Sequence, residues 1–245
     1  MASQVDSWGE ALKRGVAAGW PICLGYLPIG MALGVLAEKS GLDPLRMGLM
    51  SVLVFAGSAQ FIGVAMLEGG ASPLSIIVTT FVVNFRHFLM SSALAVPLAG
   101  VDKRFLSLFA YGVTDESFGV NMTRYREGGW SHRAALVVHH VANTTWIIAT
   151  VAGAVVGTLI PKGAFGIDYA LAGMFIALLV MQLHGRIYIV TGVIAGVVAV
   201  MWRVFIPGDS YIVGAAVVAA TIGFYLRRRS RGVCHKAEAL EDGCR

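Results

Sequence analysis

Asn84, Arg86 and His87 interrupt the apolar run "TTFVVNFRHFLMSSALAVP" (79–97), and the next run, "RFLSLFAYGVTDESFGVNM" (104–122), carries Asp115 and Glu116. A guanidinium, an imidazole and two carboxylates among apolar residues suit three kinds of work. They can pair as structural ions, hold a solute that bears both charges, or pass a proton. A charged side chain at mid-bilayer costs about 2.5–3.5 kcal/mol on insertion scales, so it persists only against a partner or water. Arg86 lies 11 residues before Pro97, and Asp115 lies 11 residues after Arg104. At 1.5 Å per residue each is about 16 Å along its helix. Antiparallel neighbours therefore bring both to the middle of a core about 30 Å thick. The spacing predicts that Arg86 pairs with Asp115 or Glu116, either to lock two helices together or to line a solute's route.

The polar residues around these charges recur at helical spacing. Thr80, Asn84, His87 and Ser91 are separated by four, three and four residues, and Ser107, Tyr111 and Asp115 by four and four. Each set forms one stripe, with Arg86 about 100° off the first. For the Thr and Ser members, interhelical hydrogen bonding is the expected role. In "FAGSAQF" (55–61), Gly57, Ser58 and Gln60 break an apolar pattern at mid-span. Pro21 and Pro28 stand inside the first apolar run, where each removes a helical donor and predicts a kink or break. A helix that ends inside the membrane exposes free N–H and C=O groups, which can hold a carboxylate or an ammonium.

The run "RAALVVHHVANTTW" (133–146) pairs His139 with Asn143 and His140 with Thr144 at four residues. A proton-relay histidine is one reading of His87, His139 or His140, and a hydrogen-bonded structural histidine is the other. HExxH is absent, and Cys23, Cys234 and Cys244 follow no metal or redox spacing, so no metal or cofactor is expected. No nucleophile stands beside a base, so the chain does not read as an enzyme.

Composition fixes the setting. The chain of 245 residues is 57% hydrophobic and 13% charged, and its mean hydropathy is +0.74. A soluble domain carries about 25% charged residues. Lipid must therefore be the main solvent, and an all-α polytopic membrane protein follows. Apolar runs of spanning length fall at 15–37, 45–67, 73–97, 104–122, 134–160, 169–184, 187–206 and 210–226. These predict about eight transmembrane helices, some kinked or broken, with the sixth and seventh joined only by "LHGR". Residues 1–14 read as a cytoplasmic amphipathic lead-in, 15–226 as one transport domain, and 227–245 as a cytoplasmic basic tail. With eight spans, twelve of the 19 Lys and Arg fall on the side of the termini and six on the other, with Arg86 left inside a span. The positive-inside rule places both termini in the cytoplasm. The net charge of +5 owes much to Arg227, Arg228, Arg229 and Arg231, a cluster suited to lipid headgroups and not to nucleic acid.

The segments "GYLPIGMALGVLAEKSGLDPL", "LVFAGSAQFIGVAML", "GASPLSIIVTTFVVNFRHFLMSSALA" and "TDESFG" closely resemble the AzlC family, the large subunit of branched-chain amino acid export permeases. The likeness runs in order from about Gly15 to Leu226. Asn84, Arg86 and His87 match the family's NxRH core, and Thr114, Asp115, Glu116 and Phe118 its TDExF-like element. Phe85, Phe88 and Met90 depart from the types more common there, which bears on side-chain preference. The resemblance implies a bacterial inner-membrane protein that exports branched-chain or other hydrophobic amino acids with a small, four-span AzlD-type subunit. No G-x-x-x-x-G-K-[ST] motif is present, so an ion gradient, of protons or another cation, fits better than ATP.

Together these readings predict a secondary transporter for a zwitterion with an aliphatic side chain, against the alternative of a channel or an ABC-type permease subunit. Arg86, Asn84 or a helix-end N–H would hold the carboxylate. Asp115, Glu116, Gln60 or free carbonyls would hold the ammonium. Phe55, Phe61 and Phe118 would line the apolar pocket, with Ser58, Tyr111 and Thr114 beside the charges. Asp115 or His87 would carry a coupling proton.

Overall fold

Every described element is helical, and several of the helices start where the sequence supplies a cap. In a computed structural model the described residues are 6–161, 176, 186–205, 214–215 and 217–225. The helices are α1 (Trp8–Lys39), α2 (Pro44–Leu53), α3 (Gly57–Glu68), α4 (Pro73–Ala95), α5 (Lys103–Tyr111), α6 (Asp115–Glu127), α7 (His132–Leu159) and α8 (Arg186–Phe205). Ser7 and Glu10 close a capping box on α1, and Asp43 caps α2 just before Pro44. Ser131 caps α7, and its hydroxyl also donates to Asp6 at 2.7 Å. Gly128 and Gly129 hold positive φ of 86° and 68° in the turn before α7, backbone that favours glycine.

Four helices are long and apolar enough to cross a membrane: Trp8–Lys39, Pro73–Ala95, His132–Leu159 and, within α8, Tyr188–Phe205. They match the first, third, fifth and seventh predicted spans. The second and fourth predicted spans are each divided into two half-helices. The sixth (169–184) apart from residue 176, the "LHG" of the junction before Arg186 and the tail 227–245 lie outside the described residues. The eighth is described only at 214–215 and 217–225.

The chain divides into two compact units, Met1–Gly70 with Thr80–Leu171, and Ala71–Thr79 with Ala172–Arg245. In the second, the Trp202 ring lies against Gly214 and Thr191 against Gly223, so α8 and residues 217–225 pack antiparallel. The first unit is organised by α1 and α7, which run parallel. Gly15 faces Ala134 and Val137, Gly30 faces Ala149, Gly34 faces Thr150 and Ala154, and Gly157 faces Glu38. Lipid offers no hydrophobic drive for helix pairing, so small residues that let backbones approach supply the attraction instead. The ends are pinned as well. Lys39 Nζ donates to the carbonyls of Gly157 and Ile160 at 2.7 and 2.6 Å, closing the C-terminus of α7. At the other end Arg14 pairs with Asp6 at 2.8 Å and donates to the Gly129 carbonyl at 2.6 Å.

The break predicted at Pro21 and Pro28 is not there: α1 is one helix of 32 residues through both prolines. Each proline forfeits one intrahelical bond. The close pairing with α7 along nearly its whole length holds α1 together regardless.

At Gly153 a Cβ would meet the Met31 backbone, with its carbonyl oxygen nearest. Gly153→Val should force α1 and α7 apart, at a cost of about 1–3 kcal/mol or more, and lower the thermal stability of the purified protein in detergent. Gly25→Ala, where nothing lies within 4 Å, should leave the melting curve in place.

Candidate functional site

A helix can stop at mid-membrane only if protein groups satisfy its ends. The interruption between α2 and α3 leaves 10 residues before it and 12 after, and that between α5 and α6 leaves 9 and 13. At 1.5 Å per residue each half is about 14–20 Å long, so both interruptions fall near the middle of an apolar run. Both also press a glycine on α7. A Cβ at Gly57 would lie 3.1 Å from the Trp146 ring, and one at Gly112 would lie 2.5 Å from His139 Cβ.

His139, Asn143, Trp146 and Thr150 recur on α7 at four, three and four residues, which is one face of a helix. Each bonds a different half-helix. Thr150 Oγ1 lies 2.8 Å from Ser51 Oγ of α2, and Trp146 Nε1 donates to Gln60 Oε1 of α3 at 2.7 Å. Asn143 donates to the Tyr111 hydroxyl of α5 at 3.3 Å. His139 Nδ1 lies 2.9 Å from Ser117 Oγ of α6. Asn121 Nδ2 meets His139 Nε2 at 3.3 Å, and Trp130 Nε1 donates to Asn121 Oδ1 at 3.0 Å. An amide that donates to Nε2 leaves Nδ1 to donate to Ser117. Tyr111 in turn donates to the Val52 carbonyl, joining the end of α5 to the last turn of α2. One face of α7 thus fastens all four halves.

The charges gather where two of these halves begin. Thr114 caps α6 with Ser117, and Asp115 and Glu116 fill its first turn, where the helix dipole favours negative charge. The N-cap of α3, Ala56, makes no side-chain bond. Arg86 of α4 reaches both starts: its guanidinium pairs with Asp115, and Nη2 donates to Ser58 Oγ at 2.6 Å. Its Nε is buried without a hydrogen-bond partner. Arg86 and Asp115 stay 38% and 48% exposed within the chain, so the pair is not sealed in a core. Glu116 takes another partner, the Tyr26 hydroxyl of α1, at 2.7 Å, and the same hydroxyl lies 3.0 Å from Thr114 Oγ1. The Tyr26 ring meets Phe55 and Trp146 edge-on, with centroids 6.5 and 5.0 Å apart.

Arg86, Asp115, Ser58, Thr114 and Glu116 therefore converge, and His87 is half-buried within electrostatic reach of Arg86, Asp115 and Glu116. Asn84, two residues from Arg86, projects about 200° away from it, and its Oδ1 is buried without a partner. Gln60 has both ends of its amide engaged, with Trp146 and with Ser51 at 3.2 Å. Phe55 and Phe61 are buried in the packing. Tyr26, Trp146 and Ser117 have no place in the sequence reading. The spacing of polar residues on α7 could have found Trp146, whereas nothing local marks Tyr26. Among the described residues, no group of three or more His, Cys, Asp or Glu is placed to hold a metal ion.

A family model described as AzlC protein matches residues 21–160, which contain every residue of this site. The branched-chain amino acid transport protein AzlC of Bacillus subtilis (strain 168) is 27% identical over 166 residues, 66% of this chain and 64% of that protein. The inner membrane protein YgaZ of Escherichia coli (strain K12) is 29% identical over 161 residues, 64% of this chain and 66% of that protein. The matched part thus spans a little under two thirds of each. An uncharacterized membrane protein of Archaeoglobus fulgidus is 28% identical over 207 residues, 83% of this chain and 90% of that one. No solved structure matches.

Trp146→Phe gives up part of the ring packing against Gly57 and leaves the buried Gln60 Oε1 without its donor. A buried acceptor so abandoned costs about 1–3 kcal/mol. The melting temperature in detergent should fall, and a Trp146→Phe, Gln60→Leu double variant should recover part of the loss. Failure of the double variant to recover any of it would show that the bond does not hold α3 in place.

Proposed function

The chain belongs to the AzlC family, and on that footing we propose that it is a secondary transporter exporting branched-chain or other hydrophobic amino acids across the bacterial inner membrane. The observation that carries this reading is the Arg86–Asp115 pair, which joins α4 to the start of α6 while Arg86 also reaches Ser58 at the start of α3, and which stays partly exposed within the chain. Transporters place solute sites at such interrupted helices, because the broken ends offer free backbone groups and dipoles at mid-membrane. A zwitterion can exchange with an ion pair of this kind. Its carboxylate takes the place of Asp115 on Arg86, beside Ser58 and the first N–H groups of α3, while its ammonium faces Asp115. Gln60, Tyr111 and Thr114 hold the half-helices in position around it.

The wider arrangement is part of the proposal. Each interrupted pair, α2 with α3 and α5 with α6, crosses the membrane as one span, which with the 169–184 and 210–226 runs makes eight. The transport domain covers 15–226 between a cytoplasmic lead-in and a cytoplasmic tail. Arg14, Arg124 and Arg133 gather at one end, where Trp130 lies under Arg14 and Arg124 at 5.3 and 5.9 Å. Clustered arginines and an interfacial tryptophan support a cytoplasmic assignment for that end. A small four-span AzlD-type subunit completes the exporter, and an ion gradient drives it.

Counterflow of labelled valine into vesicles containing the protein and its small partner tests the site. Arg86→Ala and Asp115→Asn should each reduce the initial rate by roughly tenfold or more, the scale expected when one charge of a pair is stranded in apolar surroundings. Undiminished flux in both variants would remove the pair from the transport route.

A further inference from the structure

We propose that Glu116, rather than its neighbour Asp115, takes up and releases the proton that couples transport to the gradient, with the Tyr26 hydroxyl as its reversible partner. The inference rests on the secondary-transport reading given above. Asp115 is tied to Arg86, and a guanidinium does not give up its own proton. Protonating Asp115 would strand the Arg86 charge without its counterion, so that pair is best left intact. Among the described residues, Glu116 has no cation within hydrogen-bond distance. Its carboxyl Oε2 meets a neutral phenol at 2.7 Å, and its side chain is otherwise exposed within the chain, whereas Tyr26 is buried at 7% exposure.

The bond geometry contains two protonation states. The Tyr26 hydroxyl has two acceptors in reach, Glu116 Oε2 at 2.7 Å and Thr114 Oγ1 at 3.0 Å, but only one hydrogen to give. When Glu116 is charged, that hydrogen goes to its carboxylate. When Glu116 carries a proton, the acid donates to the phenol oxygen and the phenol hydrogen turns to Thr114, so both contacts are filled. No heavy atom has to move between the states. Thr114 Oγ1 stays anchored in either one, because it accepts from Ser117 N at 3.3 Å and lies 3.2 Å from Ser117 Oγ. The proton comes from water on one side of the membrane and leaves to water on the other, and no other bond changes. Among the described residues, the titratable and charged groups facing Glu116 are Tyr26 from α1, His87 from α4 and Asp115 on α6 itself, with Arg86 beyond them on Asp115.

The test is the number of protons moved per valine. Vesicles containing the protein and its partner are loaded with a pH-reporting dye, and labelled valine movement is followed in parallel. In the parent, valine and protons should move together. In Glu116→Gln the flux that remains should carry no proton movement. Tyr26→Phe removes the donor to the charged carboxylate, and hydrogen bonds to an ionised group are the stronger ones. Its pH profile for coupled transport should therefore shift upward. If Glu116→Gln is inactive, the Tyr26→Phe profile decides alone. Full proton movement per valine in Glu116→Gln, or an unshifted profile in Tyr26→Phe, overturns the assignment. A parent that moves valine without protons overturns it while sparing the transport reading, whereas a parent that moves no valine removes both.

Discussion

The membrane core offers no water to a backbone, and this one constraint organises the first compact unit. Every N–H and C=O left by an interrupted helix must find a protein partner or line a wet cavity. The chain interrupts two apolar runs near their middle, and it answers the constraint with a single helix face. His139, Asn143, Trp146 and Thr150 each reach a different half-helix, so the polar stripe of α7 works as a rack on which four short rods hang. Gly57 and Gly112 let the interrupted backbone lie directly against it. Short helices have little stability of their own, and their placement is therefore only as firm as α7.

The firmness of α7 comes from α1. Their glycine and alanine contacts bring the two backbones together along nearly the whole unit, and Lys39 and Asp6 fasten the two ends. This pairing also explains why two prolines in α1 do no visible harm. The charges are placed by the same scaffold. Tyr26 fixes Glu116 from the α1 side while His139 fixes Ser117 from the α7 side. The first turn of α6 is consequently clamped between the two most deeply embedded helices.

Much of this is legible in the sequence because charge in lipid is so costly. The depth of Arg86 and Asp115, counted from the ends of their runs, predicts a pair, and the structure joins them. The long spans follow from apolar length alone, and the interruption at "FAGSAQF" follows from its small and polar residues. The position of the other interruption does not. Prolines in the first run look stronger as breakers than Gly112-Val113-Thr114, yet α1 is continuous and the fourth run is divided. Local propensity lost to context in both places: glycine packing rescued α1, and the Thr114–Ser117 capping box together with the ring of His139 ended α5. The partner of Tyr26 was equally hidden, since 88 and 90 residues separate it from Thr114 and Glu116.

The two acidic residues of α6 show how the scaffold divides labour between neighbours of the same chemistry. Successive residues on a helix project about 100° apart, so Asp115 and Glu116 cannot face one partner. One turns toward α4 and meets a permanent cation, and the other turns toward α1 and meets a neutral hydroxyl. The element carrying the cation, α4, has residues in both units, and 6% of its apolar stretch is buried within the chain against 39% and 44% for α1 and α7. Through Arg86 it bonds Ser58 of α3 and Asp115 of α6. On the reading proposed above, a solute carboxylate that competes for Arg86 would act on the joint between α4 and the clamped start of α6. That is where a small binding energy can shift a conformational equilibrium, because a ligand shifts such an equilibrium only through contacts that differ between its states.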